Sequence, residues 1–219
     1  MRNLSVKGVV RRYAGFIIRI LINSNGGTIS VRDHILGGNG SVRTKLESWS
    51  RRSVSFNVSE CVFGWTAAYQ QTWTHIIVRI DLNPDAGISA ATMSSLRSTW
   101  ANIIETRWSN AGAAAHSGEL NCPFTFDVQW VNTSEHHNVR VRQGPGQTTM
   151  TTWDTSDTGA VASHEFGHML GNPDEYNSGT CPDRSPVNTG TIMDNNSNDI
   201  PLRLLQRLAD DLGSNVVSV

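Results

Sequence analysis

The chain has 219 residues, of which 38% are hydrophobic and 17% charged, and its formal net charge is −1. That is enough apolar material for a buried core, and it excludes a globally disordered chain. The balanced charge supplies no basic field to gather nucleic acid or an acidic membrane, so neither is expected as a partner.

Four basic residues, Arg2, Lys7, Arg11 and Arg12, precede the apolar run from Ala14 to Ile22. Arg19 interrupts the run and no small-x-small cleavage site follows, so no clear signal peptide is expected, although a leader removed upstream is compatible with the pattern. The run is too short to span a bilayer and reads as a strand or short helix. Residues 23–60 are rich in Gly, Ser, Asn and Arg, with turn signals at 25–27 and 37–40. Within them Val54-Ser55-Phe56-Asn57-Val58 alternates like a strand or hairpin. Residues 1–72 carry no chemical constellation and are expected to form a separate segment, whether propeptide, accessory strands or linker.

From Trp73 the pattern sharpens. His75–Leu82 is β-branched and apolar and ends at Asn83-Pro84-Asp85, which predicts a strand and turn. Ser89 is a candidate cap for a long helix whose apolar face is Met93, Leu96, Trp100, Ile103, Ile104 and Trp108, with Asn110 and Gly112 ending it. Phe124–Val131 and His137–Arg142 alternate with a period of two and predict half-buried strands. A Thr-rich loop leads to a helix from Thr158 to Leu170. A last periodic segment, Asp199–Leu212, carries Ile200, Leu204, Leu205 and Leu208 on one face. This order of elements predicts an α/β or α+β fold in residues 73–219.

Cys61, Cys122 and Cys181 include no CxxC pair, which argues against a thiolate zinc site. An odd count allows one disulfide and one thiol, with Cys122–Cys181 the favoured pair, or three reduced thiols.

The chemically decisive stretch runs from Ser163 to Tyr176. His164 and His168 are four apart, so on a helix both imidazoles share a face and reach one ion. Glu165, beside the first histidine, can reach an activated water without being a ligand. Zinc in such a site lowers the pKa of water toward about 7, and a nearby carboxylate accepts the proton. Gly171 stops the helix and Pro173 keeps it from resuming, so the chain turns back with a carboxylate, Asp174 or Glu175, as third ligand.

The run His164-Glu165-x-x-His168-x-x-Gly171-x-x-Asp174 resembles the metzincin metallopeptidases, whose third ligand is usually His. It is similar to the snapalysin-type neutral proteases, which carry Asp there. Thr191-Ile192-Met193-Asp194 resembles the clan's methionine turn beneath the zinc. The resemblance covers roughly residues 73–212. It implies a twisted mixed sheet with a backing helix, an active-site helix and a C-terminal helix. It favours Asp174 over Glu175, places Met193 under the ion, and implies a cleft along an edge strand. His137, Val139 and Val141 hold that strand's place in the chain and are candidates for pairing with substrate backbone, against a bland reading of His136 and His137 as exposed strand-end histidines. His34, His75 and His116 read as structural or solvated. Tyr176 is a candidate oxyanion donor or ligand-orienting group. Asp183, Asp194, Asn195, Asn196, Asn198 and Asp199 form a polar loop in which structural Ca2+ is conceivable but no trusted spacing supports it.

The expectation is therefore a zinc-dependent endopeptidase with one catalytic Zn2+, acting on protein or peptide substrates, monomeric and secreted. Two alternatives stand beside it. One is a delivered toxin or effector protease in which residues 1–72 serve trafficking or inhibition. The other is a catalytically silent zinc-stabilised binding module. Residues 1–72 are expected to be dispensable for the metal site, with Cys61 as a latent thiolate cap the one special case.

Overall fold

The computed structural model describes residues 10–13, 16–21, 30–31, 51–109, 111–115 and 121–219. The chain divides into two units, Met1–Lys45 and Leu46–Val219. In the first, β1 (Val10–Tyr13), β2 (Phe16–Leu21) and β3 (Ser30–Val31) form an antiparallel sheet in that order. The apolar run from Ala14 thus contains a strand. The turn signals at 25–27 and 37–40, and residues His34, Asn110 and His116, lie outside the described residues.

The second unit is α+β. Its six-stranded mixed sheet contains β4 (Arg52–Glu60), β5 (Phe63–Thr72), β6 (His75–Pro84), β9 (Thr125–Trp130), β10 (His137–Arg142) and β11 (Thr152–Asp154). The order is β11-β10-β6-β5-β4, and β9 pairs with β6. A small antiparallel sheet joins β7 (Ala113–Ala115), β8 (Cys122–Pro123) and β12 (Asn215–Val217) in the order β12-β7-β8. Among the described residues the helices are α1 (Ala90–Ser109), α2 (Gly159–Met169) and the short α3 (Gln206–Asp210), which continues a 3₁₀ turn at Leu202–Leu205. None of them is long and apolar enough to cross a membrane.

Strand β6 is the centre of this arrangement. Its apolar run Ile76, Ile77, Val78, Ile80 and Leu82 is buried, because β9 and β10 both lie parallel to it and β5 antiparallel. The connection from β6 to β9 is α1, capped by Ser89 Oγ, which accepts the Thr92 amide at 3.0 Å. Met93, Trp100, Ile104 and Trp108 bury the apolar side of α1, as the spacing predicts. Trp108 Nε1 donates to the Ser163 carbonyl at 3.0 Å, and Trp100 Nε1 to the Asp157 carbonyl at 3.0 Å. These two bonds moor the backing helix to α2 and to the loop that enters it.

Several expectations need correction. The boundary expected at 72/73 falls inside the sheet: Gln70, Gln71 and Thr72 of β5 pair with Ile77, Ile76 and His75 of β6. The strands of residues 52–72 are therefore structural members of the second unit, with Ala67 and Tyr69 fully buried. Strand β10 is not an edge. It is paired in parallel with β6 over His137–Val141 and with β11 over Arg140–Arg142, and the His137, Val139 and Val141 side chains are buried. His137 Nε2 lies 2.9 Å from the Ala68 carbonyl, and His136 Nδ1 accepts the Arg79 amide at 3.0 Å, so both histidines tie strands together rather than stand exposed. The C-terminal segment begins later than expected. Pro201 has no N–H, and the chain enters with an i→i+3 bond from Leu204 to Pro201 before a five-residue α3. Its apolar side chains, Ile200, Leu204, Leu205 and Leu208, are buried as expected.

The disulfide joins Cys61 to Cys181, 120 residues apart, with a Cα–Cα distance of 5.5 Å; Cys122 is not part of it. Cys61 sits at the tip of the β4–β5 hairpin, and its sulfur is committed to the bridge, so it is no latent thiolate cap. A chain of residues 46–219 is expected to be soluble and to melt cooperatively. A chain of residues 73–219 loses two sheet strands and half the disulfide and is expected to be insoluble or molten. Circular dichroism melts of the two truncated chains check this, and equal melting curves would contradict it.

Candidate metal centre

Helix α2 begins at Thr158, whose Oγ1 accepts the Val161 amide at 3.4 Å. It ends in a Schellman turn: Gly171 N–H donates to the His168 carbonyl at 2.9 Å and Asn172 N–H to the Gly167 carbonyl at 3.0 Å. Gly171 has φ +97°, which glycine adopts without a Cβ penalty, and a Cβ there would also meet Phe56 of β4 at 2.5 Å. The turn brings the Asn172 carbonyl against His168 Nδ1 at 2.8 Å. Trp65 of β5 donates from Nε1 to the His168 carbonyl at 2.8 Å, satisfying an acceptor the helix end leaves open.

The second wall is the turn at Thr191–Asp194, closed by Asp194 N–H donating to the Thr191 carbonyl at 3.0 Å. The Ile192 carbonyl accepts from His164 Nδ1 at 2.7 Å, and the Met193 carbonyl accepts the Glu175 amide at 2.8 Å. One turn therefore orients the first histidine and registers the segment bearing Asp174. Met193 is fully buried under α2. It approaches so closely that a Cβ on Gly167 would lie 2.5 Å from Met193 Sδ, so any larger residue beside His168 would displace the Met193 side chain.

The result is a convergence of His164 Nε2, His168 Nε2 and a carboxylate oxygen of Asp174, all within 4.8 Å of one another. Asp174 Oδ1 lies 3.1 Å from His164 Nε2 and 3.2 Å from His168 Nε2. Among the described residues this is the one group of three with metal-ligand chemistry and spacing. Both Nδ1 atoms face backbone carbonyls, which only accept, so each ring when neutral turns its Nε2 lone pair toward the Asp174 carboxylate, and when protonated donates to it from Nε2. Three acceptors facing one another need positive charge between them, and a divalent cation with two imidazoles and a carboxylate satisfies all three. The donor set fits a metal.

Glu175 is not in this group. Its carboxylate is buried and taken up by Arg203, at 2.5 Å on each oxygen, by Thr191 Oγ1 at 2.6 Å and by Thr189 Oγ1. Those hydrogen bonds outweigh burial and hold its pKa below the usual value. Glu165 is different again. It is 6% exposed, and its Oε2 has no hydrogen-bond partner among the described residues. Burial raises its pKa, and the negative charges of Asp174 and Asp157 add to this against the two histidines. Burial alone would also raise Asp174, but its bonds to His164 and His168 prevail and hold it far below the carboxylate range. Burial lowers the His164 pKa; Asp174, Glu165 and the Ile192 carbonyl overcome that, and the net shift is upward.

Glu165, His164, Tyr176 and Asp157 line a cleft of about 400 Å³, with Thr148 and Asn196 at its rim. Tyr176 is 41% exposed and hydrogen-bonds Asp174, and burial together with the Asp174 charge pushes its hydroxyl up to about 12. The polar loop after Met193 is stapled by an arginine: Arg107 donates from Nη1 to the Asn196 carbonyl at 2.7 Å and from Nη2 to the Asn198 carbonyl. Compared with known proteins, the chain matches no family model, no curated protein and no solved structure.

Asp174→Ala is expected to weaken metal binding by more than the ~100-fold typical of losing an outer partner, and to remove the metal-free stability that Asp174 lends through His164 at low pH. Glu175→Ala should instead lower stability by about 1–3 kcal/mol, because Arg203 and two hydroxyls lose their acceptor. Metal titration and thermal melts on both variants separate the two roles. The pH dependence of the metal-free protein is also set here. A raised His164 pKa contributes stability that is complete below 6.5 and is lost as pH rises through the folded value. A raised Glu165 pKa imposes a penalty that grows as pH rises above 4.5. The melting temperature of the metal-free protein should therefore fall between about pH 6 and 8, and a saturating divalent ion should remove that fall. Calorimetry with and without the ion checks it.

Proposed function

We propose that the chain is a zinc-dependent endopeptidase with the metzincin-like site that its sequence resembles. The observation that carries this reading is the pairing of a three-ligand convergence with an unpartnered, buried Glu165 oxygen, beside a cleft lined by His164 and Glu165. Two imidazoles and one carboxylate suit Zn2+ and leave a position open for chemistry.

When bound, the ion supplies Lewis acidity toward a carbonyl oxygen and makes water easier to deprotonate. His164, His168 and Asp174 hold it, each oriented by a partner on its far side. Glu165 takes the proton of the attacking water and delivers it to the departing amine nitrogen. Its raised pKa suits a group that must both accept and return a proton near neutral pH. Tyr176 keeps its proton at neutral pH and orients Asp174 through its hydroxyl.

A silent zinc module predicts a closed fourth position, and the cleft against Glu165 and His164 favours the enzyme over it. The Cys61–Cys181 bridge supports an oxidising compartment, in keeping with secretion or delivery outside the cytosol.

Digestion of a mixed peptide library, abolished by a chelator and restored by Zn2+, is the expected result. Glu165→Gln should keep the metal and the fold and lose roughly three or more orders of magnitude in turnover. Near-normal activity in the metal-loaded variant would sink the mechanism.

A further inference from the structure

Arg184 is buried, its side chain only 2% exposed, and it lies within reach of a candidate ligand. Its Nε and Nη2 bond Glu60 Oε2 at 3.0 and 2.9 Å, and its Nη1 donates to the Tyr176 carbonyl at 2.8 Å. The guanidinium also stacks over the Tyr176 ring, 4.9 Å from its centroid. Nη2 is 3.5 Å from Asp174 Oδ2, the oxygen that does not face the histidines.

We infer that Arg184 is a positioning residue for the metal site, held in place by Glu60 and by the Cys61–Cys181 bridge. This rests on the metal-site reading above. A carboxylate that ligates through one oxygen needs its other oxygen fixed, or it rotates between one-oxygen and two-oxygen binding. The Arg184 guanidinium beside Oδ2 leaves Oδ1 to point between the histidines, and the Tyr176 hydroxyl also bonds the carboxylate. The planar guanidinium does this while satisfying Glu60, a geometry that a point charge on a flexible stem reproduces only in part.

Glu60 and Arg184 come from segments 124 residues apart, and each is anchored beside a half of the disulfide. Glu60 precedes Cys61 at the hairpin tip, and the Arg184 amide donates to the Cys181 carbonyl at 3.3 Å. The bridge therefore fixes the distance between Glu60 and the Arg184 loop. Opening it frees the hairpin tip and the loop to part, and Asp174 loses the support on Oδ2. Metal affinity is in this way tied to oxidation of a disulfide that contains none of the ligands.

The test is zinc affinity, measured by competition with a chromogenic chelator, with near-UV circular dichroism reporting the packing of the tryptophans. Arg184→Gln should bind zinc about 10–100-fold more weakly than wild type with an unchanged spectrum, and Arg184→Lys should recover part of the loss. Wild-type affinity in Arg184→Gln overturns the inference, as does an Arg184→Lys no better than Arg184→Gln. Should Arg184→Gln fail to fold, the wild-type chain reduced with a phosphine, which does not sequester zinc as dithiols do, decides the matter. Its affinity should drop about tenfold or more, and an unchanged value overturns the inference. A wild-type, oxidised chain that binds no zinc overturns the metal-site reading itself, which these arms keep separate.

Discussion

Everything around the centre follows from one electrostatic constraint: two imidazole nitrogens and a carboxylate oxygen lie within 4.8 Å of one another, with the carboxylate oxygen 3.1 and 3.2 Å from the two nitrogens. Left to themselves, acceptors repel. They stay together because each is fastened from behind. The Ile192 carbonyl takes the Nδ1 proton of His164, the Asn172 carbonyl takes that of His168, and Arg184 stands behind Asp174. The helix stop and the turn at Thr191–Asp194 supply those two carbonyls. The glycines at 167 and 171 follow as consequences, since one admits Met193 and the other admits Phe56 while ending the helix.

The β4–β5 hairpin belongs to the same construction. Phe56 packs on the helix stop, Trp65 binds the last histidine's carbonyl and packs edge-on to its ring at 5.5 Å, and Glu60 holds Arg184. A sheet strand is stiffer than a loop, so support delivered from β4 and β5 constrains the centre more tightly than a surface segment of equal length. The disulfide at the hairpin tip adds a covalent limit to how far that support can drift from the Arg184 loop.

The elements with strong periodicity were legible in the sequence. The faces of α1 and α2, the run of β6 and the alternation of β9 and β10 appear where the pattern puts them, because their hydrophobic spacing is local information. The HExxH helix, its glycine stop and the approach of Asp174 were legible for the same reason. What was hidden depends on contacts between distant segments. Nothing in Arg184 or Glu60 announces the other across 124 residues. The alternation in β10 marks buried faces equally well for an edge or an interior strand, and only the pairing of β11 decides between them. Strand β7 is three alanines and β11 lies in a Thr-rich loop, so neither had a signal strong enough to read.

Asp174 and Glu175 show most plainly why spacing alone could leave the ligand open. They are adjacent carboxylates beyond the same glycine and proline, and either could reach the His164–His168 pair in an extended chain. The backbone bond from Glu175 N–H to the Met193 carbonyl fixes the rotation of this segment, so consecutive side chains leave on opposite sides. One side faces the histidines and the other faces Arg203, Thr189 and Thr191. Two anions one residue apart would repel at a shared site. Here each has its own partners, the imidazole pair for one and a guanidinium with two hydroxyls for the other. The segment is thus held from both faces, and the ligand's position rests as much on the burial of Glu175 as on Asp174 itself.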